Sequence, residues 1–162
     1  MLAQWQRPFI LNTLYDDWDN APAYSGVYVI SGDREIPRIA GTDKAGILYI
    51  GKSAMLRNRL WEFWYGDHEA PAFLWTDLRL AGLVLGVRRL TRGQLENKLG
   101  ELKARVSQVE TRSLASAEKA VLYAYASRFG ELPPLNATLP DKWSERPDPR
   151  LLRWAETGLR KS

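Results

Sequence analysis

Two tyrosines, a lysine and a pair of arginines crowd together in this chain, in Gly26-Val27-Tyr28, Tyr49-Ile50-Gly51-Lys52 and Leu56-Arg57-Asn58-Arg59-Leu60. A phenol can give or take a proton, and a guanidinium fork matches the oxygens of a phosphate. Cations beside a phenol favour its ionised form, so Lys52 and an arginine are expected to lower a tyrosine pKa here. Attack on a phosphodiester uses all of these capacities.

Composition narrows the alternatives. The 162 residues suit one domain with its own core, and 45% apolar with 26% charged residues describes a folded globular chain. Cysteine is absent, which removes disulfides, zinc-thiolate sites and cysteine nucleophiles. The lone histidine, His68, removes any multi-histidine metal cage. A metal would therefore sit on oxygen ligands, which favours Mg²⁺, Mn²⁺ or Ca²⁺. The net charge of +4 agrees with a nucleic-acid partner without requiring one. Arg57, Arg59, Arg79, Arg88, Arg89, Arg92, Lys98, Lys103 and Arg105 gather in the middle third. No basic leader or long apolar run stands out, so a cytoplasmic, non-membrane protein is expected.

The elements that must position these residues follow from pattern. Residues 1–23 read as an irregular arm rich in Trp, Tyr and Asp. Tyr24–Ile30 reads as a first strand, Ser31–Gly46 as a long hairpin connection, and Ile47–Ile50 as a short second strand. Ser53 has the chemistry of an N-cap for a helix whose apolar stripe is Leu56, Leu60, Phe63 and Trp64. Arg57 and Arg59 flank that stripe on opposite edges. Short helices are expected at Pro71–Leu80 and after Thr91, and a third strand at Lys103–Thr111. A helix from Ser113 or Ser116 to Phe129 is apolar nearly all round, the mark of burial on most faces, and Gly130 stops it. Leu132-Pro133-Pro134-Leu135-Asn136 is a stiff extended segment. Residues 141–162 form a tail with a proline-rich link and an amphipathic helix around Leu151, Leu152, Trp154 and Leu159. The expected fold class is α+β, a small three-stranded, mainly antiparallel sheet flanked by helices, with helical insertions at about 66–102.

Residues Gly46 to Ser53 also fit the letters of a phosphate-binding loop. The residues between its glycines, Ile47, Leu48, Tyr49 and Ile50, are strand formers, and the preceding Thr42-Asp43-Lys44-Ala45 is turn-like. Both features oppose a nucleotide-binding P-loop, which stays the least favoured alternative.

The paired tyrosine strands resemble the two signature strands of the GIY-YIG nucleases. The likeness continues through Lys52, the run from Leu56 to Leu60, Glu118 on a later helix, and the segment ending at Asn136. It spans Tyr24 to about Asn136 and implies a metal-dependent endonuclease that hydrolyses phosphodiesters, with double-stranded DNA the expected partner. It assigns catalytic parts to Tyr28, Tyr49, Lys52, Arg59, Glu118 and Asn136, with Glu118 the single carboxylate for one Mg²⁺ or Mn²⁺. Tyr28 is expected to take the proton of the attacking water, Arg59 to clamp the phosphate, and Asn136 to hold the site together. Arg59 matches the family's arginine by its count from Gly51, but the helical wheel alone does not separate it from Arg57. Phe63 stands where some members carry histidine or tyrosine, and Tyr65 or His68 could substitute. Arg57, Arg88, Arg89 and Arg92 are candidates for nucleic-acid contacts, and a homodimer would let two such sites cut both strands. A non-catalytic nucleic-acid- or protein-binding module of the same fold is the second reading.

Overall fold

The computed structural model describes residues 2–11, 19, 21–65, 101–136 and 138–161. Its elements run β1 (Phe9–Ile10), β2 (Gly26–Ser31), β3 (Ile36–Arg38), β4 (Gly41–Asp43), β5 (Ile47–Ser53), α1 (Leu56–Tyr65), β6 (Lys103–Gln108), α2 (Leu114–Phe129) and α3 (Pro149–Gly158). The class is α+β, as the pattern predicts. The sheet differs: it has four strands, all antiparallel, in the order β1-β6-β2-β5, and β3 pairs with β4 in a separate two-stranded sheet.

Each departure has a local cause. The two residues of β1 come from the expected irregular arm, because the edge of β6 offers partners at Lys103 and Ala104. The Ser31–Gly46 connection organises around Asp43, whose buried carboxylate accepts from the N–H groups of Ala45, Gly46 and Ile47 and from the Tyr125 hydroxyl. Gly46 sits at φ +67, where an L side chain is strained, and a Cβ there would lie 2.3 Å from the Arg34 carbonyl oxygen. Ser53 does not cap α1. Its hydroxyl bonds the N–H and C=O of Met55, while Leu56 and Arg57 donate their N–H groups to the carbonyls of Tyr24 and Pro22. The arm therefore satisfies the helix start that a side chain was expected to satisfy. A short 3₁₀ turn at Thr111–Ser113 leads into α2, and Gly130 ends it in the left-handed conformation, donating to the Ala126 carbonyl at 2.8 Å.

Strand β2 lies between β5 and β6, with helices over both faces. Its alternate residues Tyr28 and Ile30 face a core with Leu56 and Leu60 of α1. Val27 and Val29 face the other core, built with Ala117, Val121 and Tyr125 of α2 and Trp154 of α3. Burial on both sides explains why this strand is apolar throughout rather than alternating. Asp148 caps α3 by accepting from the Arg150 N–H, with Pro149 in the first turn. Trp5 of the arm stacks on Trp154 at 5.0 Å, and each indole N–H reaches a carbonyl of the other segment, Trp5 to Trp154 and Trp154 to Ala3. The helices expected at Pro71–Leu80 and after Thr91 lie outside the described residues. Among the described residues, no helix is long and apolar enough to cross a membrane.

Candidate active site

The stretch with P-loop letters is the strand β5, extended from Ile47 to Ser53 and paired with β2 over its length. Its backbone N–H groups serve a ladder and cannot cradle a phosphate as a loop would. β5 is an edge strand, and the candidate site is built around that edge.

Tyr28 stands opposite Gly51 in the ladder, and Tyr49 is two residues back on the same face. The rings lie 6.0 Å apart, tilted by 38°. They meet above Gly51, where a Cβ would come 2.5 Å from the Tyr28 hydroxyl oxygen and 2.8 Å from Tyr49 Cε1. The glycine is thus a space requirement of two rings sharing one position.

Tyr28 is 1% exposed. Burial raises its pKa, and the neighbouring Tyr49 and Glu118 push the same way. The Arg59 guanidinium donates to the Tyr28 phenol and opposes the shift, but burial prevails. The expectation of a lowered phenol pKa is therefore overturned. Arg59 acts on the phenol, but the low-dielectric environment penalises the phenolate more than this cation favours it.

Arg57 and Arg59, equivalent on the wheel, separate in space. Arg57 turns to the arm, donating from Nε to the Ala21 carbonyl at 2.7 Å and lying 3.9 Å from Asp19. Arg59 turns to Tyr28.

Lys52 and Glu118 arrive from the other side. Lys52 pairs with Val27 in the ladder and so points to the face under α2, where it forms an ion pair with Glu118 of that helix. The tyrosines and Arg59 thus belong to one sheet face and the Lys52–Glu118 pair to the other. No strand lies outside β5 among the described residues, so the two faces come close at that edge, and Glu118 is near enough to act electrostatically on Tyr28. Tyr49, Lys52, Glu118 and Asn136 all line one cavity of about 820 Å³ at that edge.

Asn136 closes the edge itself. Its side-chain oxygen accepts from the Ile50 N–H at 3.0 Å and its amide donates to the Ile50 carbonyl at 2.8 Å. The Leu135 N–H donates to the Leu48 carbonyl at 2.9 Å. The proline-stiffened segment acts as a short substitute strand, satisfying the edge and fixing where β5 ends against the cavity.

A single hard cation at this edge would rest on Glu118. The Glu118 carboxylate is 15% exposed at the cavity wall, and among the described residues no cluster of three or more acidic or histidine side chains competes as a metal site. One carboxylate with water completing the shell is an ordinary Mg²⁺ arrangement, so the residues fit. Of the remaining candidates, Arg88, Arg89, Arg92 and His68 lie outside the described residues, as do the side chains of Phe63 and Tyr65. Sequence reasoning missed Gly51 as a packing requirement and Asp43 as the organiser of the turn before β5. An aspartate three residues ahead of a glycine was the available signal for the latter. Comparison of the chain with family models, curated proteins and solved structures returns no match.

Proposed function

We propose that this chain is a metal-dependent endonuclease of the GIY-YIG type that hydrolyses phosphodiesters, with DNA as its substrate. The supporting observation is that Tyr49, Lys52 and Glu118 line one cavity at an open sheet edge, with Tyr28 packed against Tyr49 and Arg59 donating to Tyr28. Four of the five sit far apart in sequence from Glu118, and a purely structural edge needs none of them together.

In this mechanism Arg59 holds the non-bridging phosphate oxygens, as its fork geometry suits. Tyr28 retains its proton at neutral pH and donates a hydrogen bond, rather than accepting the proton of water. Tyr49, on the cavity wall beside Lys52, aligns the attacking water, whose proton leaves to solvent at the cavity mouth. Glu118 would hold the Mg²⁺ or Mn²⁺, which when bound supplies charge stabilisation for the leaving oxygen. Lys52 is the ion-pair partner of Glu118 and, with a metal held by that carboxylate, would be free to face the scissile phosphate. Asn136 acts on the site through Ile50 and is a positioning residue. Cutting of both strands would use a second copy of the chain.

Plasmid nicking with Mg²⁺ tests the reading. Glu118→Ala is expected to lower nicking by at least about 10²-fold, with the melting temperature little changed. Full activity in that variant, or in excess chelator, would remove the mechanism. Tight nucleic-acid binding with no nicking by the wild-type chain would favour the binding-module reading.

A further inference from the structure

A second concave site lies at the other end of β5. From Ile47, which lines it, to Lys52 is five residues, or roughly 16 Å along an extended strand. Its volume is about 150 Å³, room for one tetrahedral oxyanion with a few waters. Three separate elements bring cations to it: Lys44 from the β4–β5 turn, Lys103 and Arg105 from β6, and Arg160 and Lys161 from the chain after α3. Among the described residues, Asp33 is the one acidic residue in its lining.

Arg105 has a structural task. It donates to the carbonyls of Gln6, Thr157 and Arg160 and so ties the end of α3 to the sheet. Those acceptors are carbonyls, and among the described residues Arg105 forms no ion pair with a carboxylate. Burial lowers its pKa, and the like charge of nearby Arg160 adds to the shift. Lys44, Lys103, Arg160 and Lys161 form no ion pair among the described residues. A solvated surface would let these long side chains spread. Here the backbone converges them on a concavity, where charges of one sign reinforce each other and attract a counter-ion.

We propose that this pocket binds a phosphate group, carried by a nucleic-acid backbone or by free phosphate. The proposal stands whether or not the edge at Gly51 hydrolyses anything, since the two cavities share no lining residue.

The test compares the wild-type chain with Lys103→Ala/Arg160→Ala, leaving Arg105 and its carbonyl contacts in place. Affinity for inorganic phosphate is measured by calorimetry against chloride at matched ionic strength. Affinity for a short DNA duplex is measured in the Glu118→Ala background, so that nothing is cut. The double variant is expected to lose at least tenfold in phosphate affinity, in duplex affinity, or in both. Loss toward the duplex alone assigns a backbone phosphate, and loss toward inorganic phosphate alone assigns a small phosphate ligand. Without phosphate and at low salt, the variant should melt at the same temperature as the wild type or higher, because repulsion has been relieved. Unchanged affinity for both ligands would overturn the proposal, as would a lower melting temperature in the anion-free buffer. Absence of nicking together with tenfold weaker phosphate binding would sink the nuclease reading and leave this one standing.

Discussion

Arg57 and Arg59 differ by two positions in sequence and entirely in what they touch. Arg57 bonds the Ala21 carbonyl and steadies the arm at the start of α1, whereas Arg59 reaches the Tyr28 phenol. Arg59→Ala should therefore abolish nicking and cost about 1–2 kcal/mol, because the buried Tyr28 phenol loses a partner. Arg57→Ala should keep nicking within a few-fold of wild type and cost about 1 kcal/mol in urea unfolding, one hydrogen bond's worth. Reversal of that pattern would exchange their assignments. Gly51 gives a second prediction at this scale. In Gly51→Ala the new methyl meets both rings at less than 3 Å, and Tyr28, buried in the core, cannot withdraw. A loss of about 2 kcal/mol is expected, with displaced Tyr28 and Tyr49 ring resonances.

Among the elements, β5 depends most on a neighbour remote in sequence. An edge strand with bare N–H and C=O groups invites pairing with other chains. The Leu135-Asn136 segment removes that exposure by bonding Leu48 and Ile50. Asn136→Ala deletes two of those bonds and is expected to cost about 2 kcal/mol. Amide exchange at Ile50 should accelerate, and nicking should fall with KM affected less than kcat, because the Tyr49–Lys52 stretch loses its register against the cavity. Asn136→Asp keeps the acceptor for the Ile50 N–H and loses the donor, so it should fall between the two. An Ile50 amide as protected in the alanine variant as in wild type would show that the edge does not rely on this side chain.

At the scale of the molecule, two buried phenols tie stability to pH. Tyr28 and Tyr125 both have raised pKa values, each mainly through burial, and Tyr125 also donates to Asp43. In the unfolded chain both ionise near pH 10, while in the folded chain both keep their protons. Above about pH 10 the unfolded state therefore binds fewer protons, and stability falls as pH rises. Each phenol contributes at most about 1.4 kcal/mol per pH unit in that window. Urea unfolding at pH 9, 10 and 11 should show the decline, and Tyr125→Phe should make it shallower. A flat profile would mean that both hydroxyls reach water.

The amino-acid pattern alone determined the α+β class, the strand character within Tyr24–Ile30 and Ile47–Ile50, the buried helix ending at Gly130, and the amphipathic helix of the tail. These are legible because apolar periodicity and turn residues act over a few positions. The resemblance of its tyrosine strands to those of the GIY-YIG nucleases marked Tyr28, Tyr49, Lys52, Arg59, Glu118 and Asn136 as candidates. Tertiary structure alone decided which arginine meets the phenol, that Lys52 and Glu118 approach from the opposite face, and that the arm adds a fourth strand. It also reversed the direction of the Tyr28 shift. These outcomes depend on which surfaces exclude water and which strand is left at an edge, and neither is a property of any local stretch of chain.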